Sequence, residues 1–212
     1  MSTCLLIRHA NTDTAGQVMT GRNPGVHLNE AGVRQARDLA NALRRCSVEA
    51  IYSSPLERAQ ETARAISEAL GLRVAVCPAF NEFDFGSWSG LSLAQLDNIP
   101  EWHTFNRLRS LTPAPGGELM LEAQARVIRA LEQLRVRHPS QLFIAVSHAD
   151  VIRAALAHYL GIPLDLAHRL DIAPASVSVV ALNDSWIQVR AVNCPAAACS
   201  DLLGCESHHG PR

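Results

Sequence analysis

The stretch Cys4-Leu5-Leu6-Ile7-Arg8-His9-Ala10 decides how the rest of the sequence is interpreted. It is an apolar run typical of a buried β-strand, and it ends at an arginine and a histidine. In open α/β sheets, ligands bind beyond the carboxyl ends of the strands. The stretch therefore predicts a strand that delivers a guanidinium and an imidazole to an anion site, provided that other strands end in the same way.

The hydrophobic pattern predicts further strands that alternate with helices. Asn29 is expected to cap a helix, and Ser54-Pro55 is a serine N-cap with proline in the first turn of a second one. The continuous apolar run 141–147 is typical of a strand buried on both faces of a parallel sheet. The predicted strands are 4–8, 49–53, 73–77, 141–147, 176–182 and 187–192, of which the last two form an antiparallel hairpin. The predicted fold is α/β, a three-layer α/β/α sandwich with a mostly parallel central sheet and an antiparallel edge.

Residues 1–192 are predicted to form one domain. Within it, residues 80–117 combine loops and two short helical pieces with six of the ten aromatic residues. We expect this segment to fold over the site as a lid, and the alternative is a hydrophobic cluster without contact to substrate. From 193 to 212 the periodicity is lost, and this tail is predicted to be disordered.

Composition limits the classes of function. The net charge of −1 gives no electrostatic reason to expect a nucleic acid or an anionic membrane as partner. All 19 basic residues are arginine, which excludes Schiff-base chemistry and a P-loop lysine and leaves guanidinium groups, which bind phosphate or carboxylate as a planar fork. We find no secretory signal and no apolar run that approaches the ~20 residues of a membrane span. The six scattered cysteines are expected to be reduced thiols, and the protein is expected in the cytoplasm.

Two more predicted strands end at groups that attract anions. Arg58 lies one turn into the helix after the second strand, and His148 directly follows the strand 141–147 at the start of another helix. Right-handed βαβ connections place these strand ends on one edge of a parallel sheet. Arg8, His9, Arg58, His148 and two helix amino termini should therefore converge on one volume, where a phosphoryl group is the expected occupant.

Six motifs follow one another along the chain up to about Leu182. They are Leu6-Ile7-Arg8-His9-Ala10, 28–36 (LNEAGVRQA), 53–63 (SSPLERAQETA), 82–90 (EFDFGSWSG), Pro115-Gly116-Gly117-Glu118 and Val146-Ser147-His148-Ala149. In this order they resemble the histidine phosphatase superfamily, the phosphoglycerate mutase-like family. Ala10 and Ala149 stand where the family usually has glycine, and a Cβ at Ala10 is expected to narrow the approach of the backbone to a phosphate.

The resemblance implies a role for each convergent residue. His9 is the implied nucleophile, which carries the phosphoryl group as phosphohistidine, and Arg8, Arg58 and His148 surround that group. Glu82 is the implied proton donor to the leaving oxygen. The residues expected to contact the rest of the substrate are Asn11, Thr20, Gly21, Arg22 and Ala149. No metal ligand and no cofactor are expected.

Phosphoryl transfer from an ester to a histidine requires the same groups. An alkyl group leaves poorly as an alkoxide, so a protonated carboxyl must lie within reach, and the aromatic-rich loop around Glu82 is where desolvation raises a carboxyl pKa. His9 must be neutral at the attacking nitrogen, and its other ring nitrogen is expected to donate to a backbone carbonyl. Asp84 and Glu118 remain alternatives for the acid, and Glu118 is alternatively a capping residue of the helix that it begins.

The preferred function is hydrolysis of a phosphomonoester of a small metabolite through phospho-His9. The first alternative is a phosphoglycerate mutase, which must hold a carboxylate, and Arg22, Arg107 and Arg109 are the candidates for this. A phosphohistidine-protein phosphatase and a non-catalytic phosphate-binding scaffold are two others. The expected partner is a small phosphorylated substrate, with no nucleic acid and no membrane. The sequence does not give the oligomeric state, and a homodimer is left open.

Overall fold

Six strands form one sheet in a computed structural model that describes residues 1–203, except the side chains of residues 200 and 202. The strands are β1 (Ser2–Arg8), β2 (Val48–Ser53), β3 (Val74–Val76), β4 (Leu142–Ser147), β5 (Val177–Leu182) and β6 (Ile187–Cys194). Their order is β3-β2-β4-β1-β5-β6. The first four in this order are parallel, whereas β5 is antiparallel to β1 and β6 is antiparallel to β5. The predicted sheet topology is confirmed.

Seven α-helices connect or follow these strands within the described part of the chain. They are α1 (Glu30–Leu43), α2 (Glu57–Leu70), α3 (Leu93–Leu96), α4 (Pro100–Arg107), α5 (Met120–Arg137), α6 (Ala149–Leu160) and α7 (Cys199–Leu202). Asn29 caps α1 as predicted, because its Oδ1 accepts from the Gly32 amide at 2.8 Å. Helices α2 and α6 end at Gly71 and Gly161, whose φ angles of 69° and 66° lie in the left-handed region that glycine favours at helix ends.

The sheet is covered on both faces. Side chains alternate along a strand, so neighbouring residues of β1 belong to different layers. Leu5 and Ile7 pack in one cluster with residues of α1 and α2, whereas Cys4 and Leu6 pack in another with residues of α5 and α6. The three-layer α/β/α sandwich is confirmed.

The carboxyl ends of β1, β2 and β4 lie side by side. Arg8 is paired with Ser147 in the register of β1 and β4, and the His9 amide donates to the Ser147 carbonyl at 2.9 Å. The Ser54 amide donates to the Val146 carbonyl at 2.9 Å. The residues that follow these three strands therefore leave the sheet at the same edge.

Helix α2 begins later than predicted. Its first residue is Glu57 and its N-cap position is Leu56, so Ser54 does not cap the helix. Oγ of Ser54 instead lies 2.7 Å from Nε2 of His148. The sequence predicts that the Ser54 hydroxyl caps the helix, but in the structure it binds the buried imidazole of His148. A polar ring atom without a partner would be costly to bury.

The segment 80–117 forms a hydrophobic cluster of its own beside α6. Five of its six aromatic side chains are buried against one another and against Ala154 and Ala157 of α6, namely Phe83, Phe85, Trp88, Trp102 and Phe105. Phe80 differs, since it packs in the cluster formed with α5 and α6. The predicted pair of short helices is present as α3 and α4.

The predicted start of disorder at residue 193 is wrong. Strand β6 continues to Cys194, which pairs with Val177, and the next residues form a 3-10 turn and α7. Cys199 is buried in the same cluster as Leu39 and Leu43 of α1, so apolar packing orders this part of the tail. The rest of the predicted tail, 204–212, lies outside the described residues.

Four cysteines in the described part of the chain, Cys4, Cys77, Cys194 and Cys199, are free thiols, as predicted. Cys46 is disulfide-bonded, so the prediction of a reduced thiol is wrong for this residue. None of the helices within residues 1–203 combines the length and the apolar character needed to cross a membrane.

Candidate active site

His9 directly follows β1 and has 6% of its surface exposed. Its Nδ1 lies 2.8 Å from the Ala10 carbonyl oxygen, which can only accept, so Nδ1 carries the hydrogen and Nε2 keeps its lone pair. This is the hydrogen bond to a backbone carbonyl that the sequence predicts. Burial, followed by the charges of Arg58 and Arg8, lowers the pKa of His9 to about 3. The ring is therefore neutral at neutral pH.

Arg58 reaches His9 from the first turn of α2. Its Nε donates to Nε2 of His9 at 3.3 Å, and its Nη2 donates to the Gly21 carbonyl at 2.8 Å. One turn further on, Thr62 Oγ1 accepts from the Ala10 amide at 3.0 Å and donates to the Arg58 carbonyl at 2.7 Å. The hydroxyl of Thr62 thereby ties α2 to the chain that follows β1.

His148, the residue before α6, is fully buried, and its ring centroid lies 5.1 Å from that of His9. Ser54 Oγ accepts from the Leu56 amide at 3.3 Å, so its own hydrogen is available for Nε2 of His148. With that hydrogen bond in place, Nδ1 of His148 carries the ring hydrogen. Burial and then the neighbouring His9 and arginines lower the pKa of His148 well below its usual value, so this ring is neutral too.

Three buried nitrogen atoms around His9 have no acceptor in the part of the chain that the structure describes. They are Nε of Arg8, Nη1 of Arg58 and Nδ1 of His148. Arg8 uses its Nη1 instead for the Ile172 carbonyl, at 2.6 Å. Buried donors without an acceptor are rare and costly. Arg8 lines the cavity beside His9, whereas Arg58 and His148 lie next to His9 but are not among the residues that line the cavity. Three such donors around one histidine fit a ligand with several acceptor oxygens.

Only one of the three candidate acids lines the cavity next to His9. Glu82 Oε2 lies 3.9 Å from Nδ1 of His148, and burial, followed by the charge of Asp150, raises the pKa of Glu82 to about 7. Asp84 and Glu118 are ion-paired with Arg22, at 3.3 and 3.0 Å. Glu82 is thus the acid that can hold a proton near neutral pH.

A cavity of about 350 Å³ opens above His9. One wall comes from the loop after β1 and includes Thr20 and Gly21. The other wall comes from Glu82, Phe85 and the first turn of α6. Among the residues predicted to contact substrate, those that line the cavity are Thr20, Gly21 and Ala149.

The other two predicted contacts lie elsewhere. Asn11 is not part of the lining, and its backbone amide donates to Oε1 of Gln35 at 2.9 Å. For Arg22, the structure corrects the prediction of a contact with substrate, because this residue does not line the cavity. Its Nε donates to the carbonyl of Glu82 at 2.8 Å, and its two terminal nitrogens pair with acids, so protein groups already occupy the guanidinium.

The Cβ of Ala10 does not face the cavity. Ala10 is fully buried in a small apolar cluster with Ala36 and Ala175, and it is absent from the cavity lining. The expectation that this methyl group narrows the approach to a phosphate is therefore wrong.

A charged group at the start of α6 was not predicted from the sequence. Asp150 and Arg153 both line the cavity, and Oδ1 of Asp150 accepts from Arg153 at 3.2 Å and from Arg109 at 3.0 Å. The signal was present, because an acid and an arginine three residues apart share a helix face directly after the site histidine. Arg109, a candidate for binding a substrate carboxylate, is buried and held by Asp150 and Asn106. In residues 1–203 no group of three or more His, Cys, Asp or Glu side chains is placed to hold a metal ion.

Known proteins share this arrangement of strands and motifs. The model of the histidine phosphatase superfamily (branch 1) matches residues 4–195. The chain belongs to this superfamily. Its histidine phosphatase fold is also that of the mycobacterial glucosyl-3-phosphoglycerate phosphatase Rv2419c, with a TM-score of 0.81, 28% identity, and coverage of 91% of this chain and 98% of the other.

Two curated relatives are more similar in sequence. The bifunctional protein Rv2228c of Mycobacterium tuberculosis is 37% identical over 195 residues, which are 89% of this chain and 53% of the relative. Phosphoserine phosphatase 1 of Hydrogenobacter thermophilus is 33% identical over 185 residues, with 85% and 86% covered. The chain thus spans about half the length of the first relative and most of the second.

Proposed function

We propose that this protein is a metal-independent phosphatase that hydrolyses phosphomonoesters of small metabolites through a phosphohistidine at Nε2 of His9. The observation that carries the proposal is the set of buried N–H groups on Arg8, Arg58 and His148 that have no acceptor within residues 1–203. A phosphoryl group has an oxygen for each of them, and donors aimed at these oxygens stabilise the charge of the transition state. Relatives named as phosphatases support the same reaction.

In the first step, Nε2 of His9 forms a bond to phosphorus while the bond from phosphorus to the ester oxygen breaks. The electron pair of that bond goes to the leaving oxygen. The proton of the Glu82 carboxyl goes to the same oxygen, so an alcohol leaves rather than an alkoxide. The pKa of about 7 supports Glu82 in this role, because much of the carboxyl is protonated at neutral pH.

In the second step, a water oxygen forms a bond to phosphorus and gives a proton to the Glu82 carboxylate. The bond from phosphorus to Nε2 breaks, its electron pair returns to the ring of His9, and inorganic phosphate leaves. Glu82 therefore acts first as acid and then as base, and both it and His9 regain their starting states.

We assign the rest of the substrate to the cavity, with Thr20, Gly21 and Ala149 as contacts, in place of the larger predicted set. Residues 80–117 act as the lid of one domain, since Phe85 and Leu93 from this segment line the cavity. The substrate is a small molecule, and neither nucleic acid nor membrane takes part. The cytoplasm remains our proposed location, supported by the four free thiols and opposed by the disulfide at Cys46.

The mutase alternative needs a group that binds a substrate carboxylate. None of the three arginines considered for this carboxylate lines the cavity. Arg22 and Arg109 are ion-paired with acids of the protein, and Arg107 is exposed. This favours the hydrolase. Arg153 of α6 does line the cavity, but protein groups already bind it. Its Nε donates to the Leu170 carbonyl and its Nη1 donates to Asp150.

A panel of phosphomonoesters assayed with EDTA, with and without 2,3-bisphosphoglycerate, tests the proposal. We expect phosphate release that EDTA does not change, a loss of about 10³-fold or more in His9→Ala, and acid-labile phosphate on His9 during turnover. Isomerisation that depends on the bisphosphate would select the mutase. Phosphate binding without turnover would select the scaffold, and full activity of His9→Ala would refute the phosphohistidine.

A further inference from the structure

The main-chain carbonyl of Glu82 accepts hydrogen bonds from two arginines. Nε of Arg22 donates to it at 2.8 Å, and Nη2 of Arg126 donates to it at 3.1 Å. Arg22 comes from the loop after β1, whereas Arg126 lies in the middle of α5. Both lone pairs of this peptide oxygen are therefore taken by charged donors, and the oxygen belongs to the residue that carries the candidate acid.

Glu118 holds both arginines in place. Its carboxylate accepts from Arg126 Nε and Nη2 at 2.7 and 3.1 Å and from Arg22 Nη2 at 3.0 Å. The two bonds to Arg126 form the bidentate arrangement that fixes a guanidinium most firmly. All three side chains are at least two-thirds buried. We call Arg22, Glu118 and Arg126 the arginine clamp.

The arginine clamp also holds the chain on both sides of Glu82. Upstream, Nη1 of Arg126 donates to the Ala79 carbonyl at 2.6 Å. Downstream, the Glu118 amide donates to the Asp84 carbonyl at 3.0 Å, and a Cβ on Gly117 would lie only 2.2 Å from that carbonyl oxygen. Glycine at 117 therefore allows the two chains to approach this closely.

The position of the backbone decides where the carboxyl of Glu82 points. Its Oε1 accepts from the Phe83 amide at 2.8 Å, so the carboxyl is folded back onto its own main chain. Its Oε2 is the oxygen that lies near Nδ1 of His148. A shift of the peptide at Glu82 would therefore move Oε2 by a similar amount.

We infer that the arginine clamp is a positioning unit for the proton donor of the reaction. The inference rests on the proposed function, in which Glu82 protonates the leaving oxygen. A proton donor acts only within hydrogen-bond reach, and a misplacement of about 1 Å costs about 10²-fold in rate. The arginine clamp lies outside the lining of the cavity, so it acts through Glu82 and not by contact with substrate.

The test compares two leaving groups in Arg126→Gln. An alkyl phosphate needs the proton, whereas p-nitrophenyl phosphate releases a stable anion and does not. We expect kcat/KM for the alkyl phosphate to fall about 10- to 100-fold and kcat/KM for p-nitrophenyl phosphate to change less than about threefold. Arg126→Lys keeps the charge and a donor, so we expect it to restore part of the loss.

Arg135→Gln is the matched control. Arg135 lies on the same helix and pairs with two acids, Glu132 and Asp184, but has no contact with Glu82. Neither substrate should respond to this change. If Arg126→Gln is unfolded at the assay temperature, as judged by its thermal unfolding curve, Arg22→Gln replaces it with the same expectation.

Glu82→Gln separates the inference from the proposed function. The comparison uses kcat/KM, which ends with phosphoryl transfer to His9 and therefore excludes the later step in which Glu82 acts as base. If Glu82→Gln lowers kcat/KM for both substrates equally or for neither, the acid role of Glu82 fails, whatever Arg126→Gln does. If Glu82→Gln slows only the alkyl phosphate, the acid role stands. The arginine clamp is then overturned when folded Arg126→Gln affects both substrates alike. The double variant should be no slower on the alkyl phosphate than Glu82→Gln alone, because the two residues act through one proton.

Discussion

Oγ of Ser54 lies 2.7 Å from Nε2 of His148 and thereby joins the residues that follow β2 and β4. The two residues are 94 positions apart in sequence. The hydrogen bond selects the ring tautomer, and the tautomer decides whether Nδ1 can donate into the site. A serine that looks like a helix cap thus controls what the second histidine can do.

Ser54→Ala tests this control. The change leaves Nε2 of His148 buried without a donor, so we expect kcat/KM to fall about 10- to 100-fold, as when partners that orient a histidine are removed. The free energy of unfolding should fall by about 1–3 kcal/mol. Ser53→Ala is the control, because the Ser53 hydroxyl bonds the Ser54 carbonyl and not the ring. Equal activity losses in the two variants, or activity unchanged in Ser54→Ala, contradict the assignment.

The rate with alkyl phosphates should fall at alkaline pH. Glu82 must be protonated to act as acid, and its pKa is raised to about 7, so kcat/KM should decrease above about pH 7. His9, with its pKa lowered to about 3, stays neutral over this range and adds no limb of its own. A pH profile from 5 to 9 measures the limb. An unchanged alkaline limb in Glu82→Gln would assign it to another group.

Asp150→Asn should move that limb to lower pH. The negative charge of Asp150 raises the pKa of Glu82, whereas Arg58 and Arg8 lower it. Removing the charge leaves Arg109 and Arg153 uncompensated, which lowers the pKa of Glu82 further. The substrate phosphate, with its own pKa of about 6, is common to both proteins, so the difference between the two profiles belongs to the enzyme. A shift to higher pH contradicts this account.

Inorganic phosphate should stabilise the folded protein. It supplies acceptors to Arg8, Arg58 and His148, and at about 100 times its Kd it should raise the free energy of unfolding by about 2.7 kcal/mol. Thermal unfolding at increasing phosphate measures this. Arg58→Gln should abolish most of the increase, while Arg64→Gln, an exposed position of the same helix, should keep it. An equal response of both variants would mean that phosphate acts elsewhere.

Gly32→Ala should destabilise the protein, although alanine is the better helix former. A Cβ at Gly32 would lie 2.0 Å from the Asn11 carbonyl oxygen, so α1 and the loop after β1 must separate. We expect a loss of about 1–3 kcal/mol, against the gain of about 1 kcal/mol that helix propensity alone predicts. Val33→Ala, at an exposed position of α1, should change stability by less than about 0.5 kcal/mol. Chemical denaturation measures both.

The edge where the site residues meet was predictable from the sequence. Arg8 and His148 each end a strongly apolar run, and the handedness of βαβ units sends such ends to one side of the sheet. The hydrophobic pattern of the sequence and the handedness of the connections suffice for this inference. No knowledge of side-chain packing is needed.

Side-chain hydrogen bonds to a partner that is distant in sequence were not predictable. Ser54 satisfies every local rule for an N-cap, yet its hydroxyl forms a hydrogen bond with His148 instead. Arg22 lies in a loop typical of ligand binding, yet Glu118 and the Glu82 carbonyl take its guanidinium. The same pairing removes Glu118 from the candidate acids, so the choice among three carboxyl groups became clear only in three dimensions.

The division of the cavity into two walls has a practical consequence for redesign. His9, Arg58 and His148 are anchored on β1, α2 and the start of α6, whereas Thr20 and Phe85 come from separate connecting segments. The loop after β1 also carries Gly21 and Arg22, which bind Arg58 and the Glu82 carbonyl, so this wall cannot be exchanged without disturbing the catalytic groups. Chimeras that swap residues 85–93, while residues 82–84 stay, therefore offer a route to new metabolite preferences with the catalytic groups unchanged.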